Sequence, residues 1–356
     1  MFLLFGFIGL LFFKTGFTIS QVIENGGEAT ILPYGRDLPK LPEQDINRTN
    51  ILLLGMRGVG DPGEGVLLSD TIILLSFDKT SNKASLISIP RDLYVEIWGL
   101  WETKKINSAY AYGGFDSVKK TVSLVTGQYI DYVVNVNFNA VTKLIDNLGG
   151  INVYLSSPFE ESIQWANDGK EGSMYWVKRK IDFENTTTTE DEIEEEIIEN
   201  DDGDEDEEEY VESGEKWVFY VPAGTNAFDG SSALYYARSR FSSNDFDRMR
   251  RQQDIIMAIR KKAFSLGILT NPVKIYNILD LLGKNVRTDI SLGDMKDAIK
   301  LFSELDINNI DIKKEIFDAN EQDGLLYEDF INGEYVLLPI GDNFKEIQEV
   351  CKNILD

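Results

Sequence analysis

The chain has 356 residues, 43 % of them apolar, with 35 Lys and Arg against 60 Asp and Glu and a net charge of −25. That composition supports one large folded core or two smaller ones, and it excludes general disorder and a multi-span membrane protein. No histidine occurs, so histidine-ligated zinc, Ser-His-Asp and Cys-His nucleophilic catalysis and a histidine general base are excluded as well.

The first 13 residues are apolar or glycine, Lys14 interrupts them, and weak apolar character continues to Ile19. Phe and Leu surround such a helix with no polar face. We read residues 1–19 as an uncleaved membrane anchor, because no small-x-small cleavage site follows. Residues 20–48 hold Gly26, Gly27, Pro33, Pro39 and Pro42 and read as an extended stalk.

Strands and helices interleave from Asn50 onward. Ile51–Leu54 is a short apolar strand, and Thr71–Phe77 and Ala84–Ile89 form a hairpin across the polar turn Asp78–Lys83. Phe115–Val125 carries Val118, Val122 and Val125 at helical spacing. Tyr132–Phe138 alternates as a strand, Ala140–Leu148 returns to helix, and Gly149-Gly150 turns into the strand Ile151–Leu155. Trp217–Val221 is a further strand, followed by helices over Gly230–Ala237 and Phe246–Phe264. The pattern predicts an α/β sandwich, a central mixed sheet flanked by helices, over residues 49–268. Residues 269–356 continue more weakly, with a helix start at Ser291 and Asp294, a strand at Tyr335–Pro339 and a helix at Phe344–Ile354. They are expected to form a small C-terminal α/β subdomain.

Charge is unevenly distributed. Between Glu190 and Glu209, 15 of 20 residues are acidic, and without them the net charge is −10. Such a run repels itself and has little to bury, which predicts a solvated, disordered insertion over about 185–214. The remaining acidity argues against nucleic acid as a partner. The lone cysteine, Cys351, has no internal partner for a disulfide.

Three polar clusters stand at element ends, where loops present functional groups on a rigid frame. They are Ser69-Asp70-Thr71, then Arg91-Asp92 after Pro90, and a stretch from Tyr236 to Gln253 containing Arg238, Arg240, Arg248, Arg250 and Arg251. Guanidinium groups donate paired hydrogen bonds to phosphate and stay charged at any relevant pH. Arg238 and Arg240 are expected to project together, and Arg248 and Arg251 to share a helix face with Gln252 beside them. Pairing of these arginines with Asp245, Asp247 and Asp254 on a solvated helix face is the alternative. Asp70 and Asp92 are candidate ligands for Mg²⁺, which takes one or two carboxylates and completes its shell with water and phosphate oxygens. Asp92 is equally a candidate cap or salt-bridge partner.

Taken together, these blocks resemble the LytR-CpsA-Psr family of membrane-anchored bacterial phosphotransferases. The resemblance runs from about Asn50 to Phe264 through Asn50–Gly55, Ser69–Ile72, Ser88–Asp92, Lys105–Gly114, Leu148–Ile151 and Ala233–Arg240, leading to Arg248, Arg251, Gln252 and Gln253. It implies a single-pass cell-membrane protein whose extracytoplasmic domain moves a glycopolymer from a polyprenyl-pyrophosphate carrier to peptidoglycan or a protein acceptor, with pyrophosphate hydrolysis as a variant. By motif, Asp70 would sit with Mg²⁺, and Arg91, Arg238, Arg240, Arg248 and Arg251 would hold the pyrophosphate. Val122, Val125, Phe138, Val141, Leu144, Ile255 and Ile259 are candidates to line the apolar tunnel for the lipid. Two positions depart from the pattern: Arg57 replaces an aspartate after the first strand, and Leu68 replaces an arginine before Ser69. Arg57 is the candidate replacement guanidinium, and Asp61 or Glu64 the candidate replacement carboxylate. These departures also motivate an alternative, a non-catalytic protein that binds polyprenyl pyrophosphate or an anionic polymer.

Overall fold

A computed structural model describes residues 37–56, 67–169, 172–180, 215–266 and 281–356, the last range apart from 284, 292–293, 295–309, 321 and 323. The expected anchor, most of the stalk, the acidic run and Arg57, Asp61 and Glu64 lie outside the described residues. Among the described residues no helix is long and apolar enough to cross a membrane. These residues fall into two compact units. The larger draws on residues up to Val153, Ala227–Arg238 and Asn244–Asp356; the smaller consists of Tyr154–Asn226 and Ser239–Ser243.

The strands in chain order are β1 (Arg48–Met56), β2 (Ser69–Asp78), β3 (Lys83–Ile89), β4 (Tyr94–Glu96), β5 (Thr103–Lys105), β6 (Tyr132–Asn137), β7 (Ile151–Leu155) and β8 (Phe159–Glu161). They continue as β9 (Trp176–Lys180), β10 (Glu215–Val221), β11 (Gly224–Phe228), β12 (Val286–Thr288), β13 (Asp311–Ile316), β14 (Leu326–Ile331) and β15 (Glu334–Pro339). The helices are α1 (Ala109–Thr126), α2 (Phe138–Asn147), α3 (Gly230–Arg238), α4 (Asp245–Ser265) and α5 (Lys345–Asn353).

The larger unit is built on a six-stranded mixed sheet in the order β12-β6-β1-β2-β3-β13. β1 pairs parallel with β6 and antiparallel with β2, and β2 pairs antiparallel with β3 through the predicted turn. The apolar run of β1 is buried on both faces because both faces of the sheet are covered. On one face Leu52, Leu54, Met56, Ile72, Leu74, Ile87 and Ile89 pack against Phe115, Val118, Val122 and Val125 of α1. Ser88, between Ile87 and Ile89, points the other way. There it accepts from Gln253 Nε2 at 2.9 Å, which seats α4 on the opposite face. α1 is broken at Gly113 and Gly114, so its regular part begins at Phe115, where the periodicity places it.

One expectation of domain organisation is corrected. Residues 269–356 do not form a subdomain apart, since β12 and β13 are the two edge strands of the central sheet. Ile347 and Cys351 of α5 belong to the α1-side core. β13 pairs parallel with β3, and β12 antiparallel with β6. The cap predicted at Ser291 is present, with the Asp294 N–H donating to Ser291 Oγ at 3.2 Å; most of the expected helix lies outside the described residues.

The smaller unit holds the antiparallel sheet β8-β10-β9. Phe219 is fully buried there, with the rings of Phe159, Tyr175 and Trp176 at 6.5, 6.2 and 5.5 Å. Glu161 is also buried, and its carboxylate accepts from the N–H groups of Ile163 and Gln164 and from the N–H and hydroxyl of Ser242. Those four donors compensate its lost hydration.

Candidate active site

The C-terminal ends of β1, β3, β6 and β13 and the start of β2 meet at one end of the larger unit's sheet. Gly55 makes this end narrow, since a side chain there would place Cβ 2.9 Å from Thr71 Cβ, next to Asp70. Pro90 ends β3, and Arg91 and Asp92 follow immediately. The short hairpin β4–β5 then folds back, with Ile106 N–H donating to Leu93 O at 2.8 Å and Asn107 N–H to Arg91 O at 3.3 Å. This return places Lys105 beside the loop that carries Asp92.

Arg91 is the hub. Its Nη1 donates to Asp70 Oδ1 at 2.8 Å, and its Nε forms an ion pair with Asp92 Oδ2 at 3.4 Å without a hydrogen bond. Lys105 Nζ holds the other Asp92 oxygen at 3.0 Å. From α4, Arg248 Nη2 donates to Asp245 Oδ2 at 2.9 Å and to the main-chain oxygen of Asp70 at 3.3 Å. Burial works against the charge on Arg91, but the carboxylates of Asp92, Asp245 and Asp70 outweigh it and hold its pKa above the ordinary arginine value. The group therefore alternates three cations, Arg91, Lys105 and Arg248, with three carboxylates, Asp70, Asp92 and Asp245.

The remaining sequence candidates have different settings. Arg251 is buried, with Nε donating to Tyr236 O at 2.8 Å, so it ties α4 to α3. Gln252 Nε2 reaches Ala237 O at 3.4 Å. Arg238 ends α3 with its guanidinium 4.2 Å from the centre of the Phe138 ring. Arg240 belongs to the smaller unit, where its side chain is exposed and its N–H donates to Gln164 Oε1 at 2.9 Å. α3 stops at Arg238, so no regular segment carries the expected alternation on to Arg240.

The tunnel candidates divide in the same way. Val122 and Val125 lie in the α1 core on one face of the sheet, whereas Ile255 and Ile259 belong to α4 on the other. Phe138, Val141 and Leu144 belong to α2, and Phe138 lies under Arg238. These seven residues do not line one channel. Spacing identified an apolar helix face in each case but not the side of the sheet it covers.

Lys105 and Asp245 were not among the predicted site residues. Both stood in recognisable positions, one at the head of the Lys105–Gly114 block and the other three residues before Arg248 on the same helix. The role of Lys105 depends on the main-chain return of the β4–β5 hairpin, which residue spacing does not show, whereas Asp245 is the i,i+3 partner that spacing already offered Arg248.

The donor set fits a magnesium ion. Among the described residues no three carboxylate or thiol ligands converge, but Mg²⁺ needs only one or two carboxylates when phosphate and water complete its shell. Asp70 accepts through Oδ1 and the main chain, and among the described residues its Oδ2 takes no hydrogen bond. The six charged groups already balance. A bound dianion would unbalance them, and a dication would restore neutrality.

The sequence profile of the LytR_cpsA_psr family matches residues 33–353. The chain is 30 % identical over 248 residues to the Bacillus subtilis polyisoprenyl-teichoic acid–peptidoglycan teichoic acid transferase TagT, covering 69 % of this chain and 61 % of TagT. It thus spans less than two thirds of TagT's length. It is 24 % identical over 334 residues to the corresponding transferase TagU of Bacillus cereus, covering 92 % of this chain and 91 % of TagU. The crystal structure of Bacillus subtilis TagV shares the fold, with a TM-score of 0.56 at 23 % identity over 88 % of this chain and 99 % of TagV. The chain belongs to the LytR_cpsA_psr family.

Proposed function

We propose that the protein transfers a glycopolymer from a polyprenyl-diphosphate carrier to a hydroxyl group of peptidoglycan or of a protein acceptor. The observation that carries this reading is Arg91 held between Asp70 and Asp92, with Arg248 alongside, at the end of the sheet. Support comes from TagT and TagU, whose names specify a polyisoprenyl-linked teichoic acid as donor and peptidoglycan as acceptor.

In this reading the acceptor oxygen attacks the phosphorus that bears the polymer. The bond from that phosphorus to the bridging oxygen breaks, polyprenyl monophosphate leaves, and a phosphodiester to the acceptor forms. The hydroxyl proton passes to Asp92, which Lys105 and Arg91 fix from two sides. Arg91 and Arg248 offer N–H donors to charge that develops on the phosphoryl oxygens, and donors fixed in advance need little reorganisation. Asp70, whose Oδ2 takes no hydrogen bond among the described residues, would hold Mg²⁺, which supplies further neutralisation of the diphosphate. Arg57, Arg238, Arg240, Arg251 and Gln252 remain candidate diphosphate contacts. Water in place of the acceptor would give pyrophosphate hydrolysis. Residues 1–19 would anchor the protein in the cell membrane, with the remainder outside the cytoplasm.

The test uses a polyprenyl-diphosphate oligosaccharide as donor. Arg91→Ala is expected to lower turnover about 100-fold with the protein still folded, and normal turnover in this variant would sink the reading. Arg91→Lys should recover little, because one ammonium does not hold two carboxylates in a fixed fork. Mass spectrometry of lipid retained by the purified full chain checks the donor class independently.

A further inference from the structure

The charged network accounts for the diphosphate but leaves open what receives the product sugar phosphate. Directly beside it stands the C-terminal hairpin β14–β15, joined by a two-residue turn in which Asn332 and Gly333 both have positive φ. Leu337 N–H donates to Asp92 O at 3.0 Å, and Leu337 forms a parallel bridge with Leu93. The hairpin is thereby fastened to the loop that carries Arg91 and Asp92.

Strand alternation puts Glu328, Phe330, Tyr335 and Leu337 on one face of this hairpin, since Phe330 is paired with Tyr335 and Glu328 with Leu337. Leu337 is buried in the core, whereas Phe330 is 67 % exposed. The Phe330 ring meets Tyr335 edge-on with centroids 5.8 Å apart, and the Tyr335 hydroxyl donates to Glu328 Oε1 at 3.0 Å. Burial, then Glu328, then Asp92 and Asp245 raise the pKa of Tyr335, consistent with a ring that stands close to the site carboxylates.

We propose that Phe330, Tyr335 and Glu328 form a subsite for a neutral pyranose of the acceptor, adjacent to Asp92. A pyranose has a face of C–H groups that stacks on an aromatic ring and a rim of hydroxyls that a carboxylate accepts from, and this face supplies both. Charge selects the occupant. The hairpin carries Glu328, Asp329 and Glu334 and no basic residue, so it repels a polyanionic donor polymer and admits an uncharged sugar. The subsite rests on the transferase reading for its role but not for its existence.

The test is calorimetric titration of the full chain with a tetrasaccharide of N-acetylglucosamine, and separately with poly(glycerol phosphate). Wild type is expected to bind the tetrasaccharide, and Phe330→Ala to weaken that binding at least tenfold with an unchanged melting temperature, since the ring is mostly solvent-facing. Tyr335→Phe keeps the ring, loses the bond to Glu328, and is expected to give a smaller loss. Absence of tetrasaccharide binding in wild type, or equal binding in Phe330→Ala, overturns the subsite. So does poly(glycerol phosphate) binding that depends on Phe330, which would assign the face to the donor. Donor cleavage is scored apart: Phe330-dependent sugar binding supports the subsite even if wild type fails to cleave donor, a failure that would overturn only the transferase reading.

Discussion

Arg248 and Arg250 stand two positions apart on α4 and meet opposite surroundings. The Arg248 side chain is 5 % exposed and reaches Asp245 and the main chain of Asp70, whereas that of Arg250 is 52 % exposed and pairs with Asp247 and Asp318. Exposed ion pairs contribute about 0–1 kcal/mol, while removing one partner of a desolvated charged hydrogen bond costs roughly 1–3 kcal/mol. Arg248→Ala is therefore expected to lower donor turnover about 100-fold and to reduce stability measurably in denaturant melts. Arg250→Ala should leave turnover within about twofold and stability within about 0.5 kcal/mol. Arginine density in an acidic chain was enough to single out α4 as a candidate for charged chemistry. It did not separate these two residues, because the distinction depends on the direction in which the helix faces the sheet. Arg91 and Asp70 were legible at strand ends, while their direct bond required the sheet register.

At the level of elements, α5 shows how a weak sequence signal can mark a structural tie. Arg48 Nη2 in β1 donates to Cys351 O in α5 at 2.9 Å, and its Nε donates to Asn50 Oδ1. Burial pushes the Cys351 thiol up to about 12. A folded-state pKa above the unfolded value favours the protonated, folded form, so stability from this source is complete below the unfolded pKa near 9 and is lost as pH climbs toward 12. At pH 8 the buried thiol is expected to react with a thiol reagent only as fast as the protein opens, and Arg48→Ala should accelerate labelling by loosening α5. Labelling of the native protein at the rate of a free thiol would contradict this.

Elements with strong periodicity, β1 to β3, α2 and α4, were readable in advance. β13 was not, because Asp311-Ile-Lys-Lys-Glu-Ile316 has the charged composition of a protected edge strand rather than that of a buried one. The β14–β15 hairpin did leave a signal, Asn332-Gly333 between two strand-forming runs, but its importance came from the contact with Asp92.

For the whole molecule, the acidic run has a defined attachment even though it lies outside the described residues. Lys180 and Glu215, which flank residues 181–214, are paired across β9 and β10. A short turn of about four residues can therefore replace the entire segment. That replacement is expected to raise stability by about 2 kcal/mol through a smaller loop-closure cost and to leave donor turnover within about twofold. Loss of activity with an intact fold would assign the segment a direct part in function.

The two flanking strands of the six-stranded sheet, β12 and β13, both come from the final fifth of the chain. A ribosome delivers residues in order, so β6 and β3 wait with bare amide and carbonyl rows until nearly everything else has been synthesised. Any product cut short before Ile316 leaves the apolar strand β3 at the sheet margin without the charged β13 to blunt it, ready to clump or to be degraded.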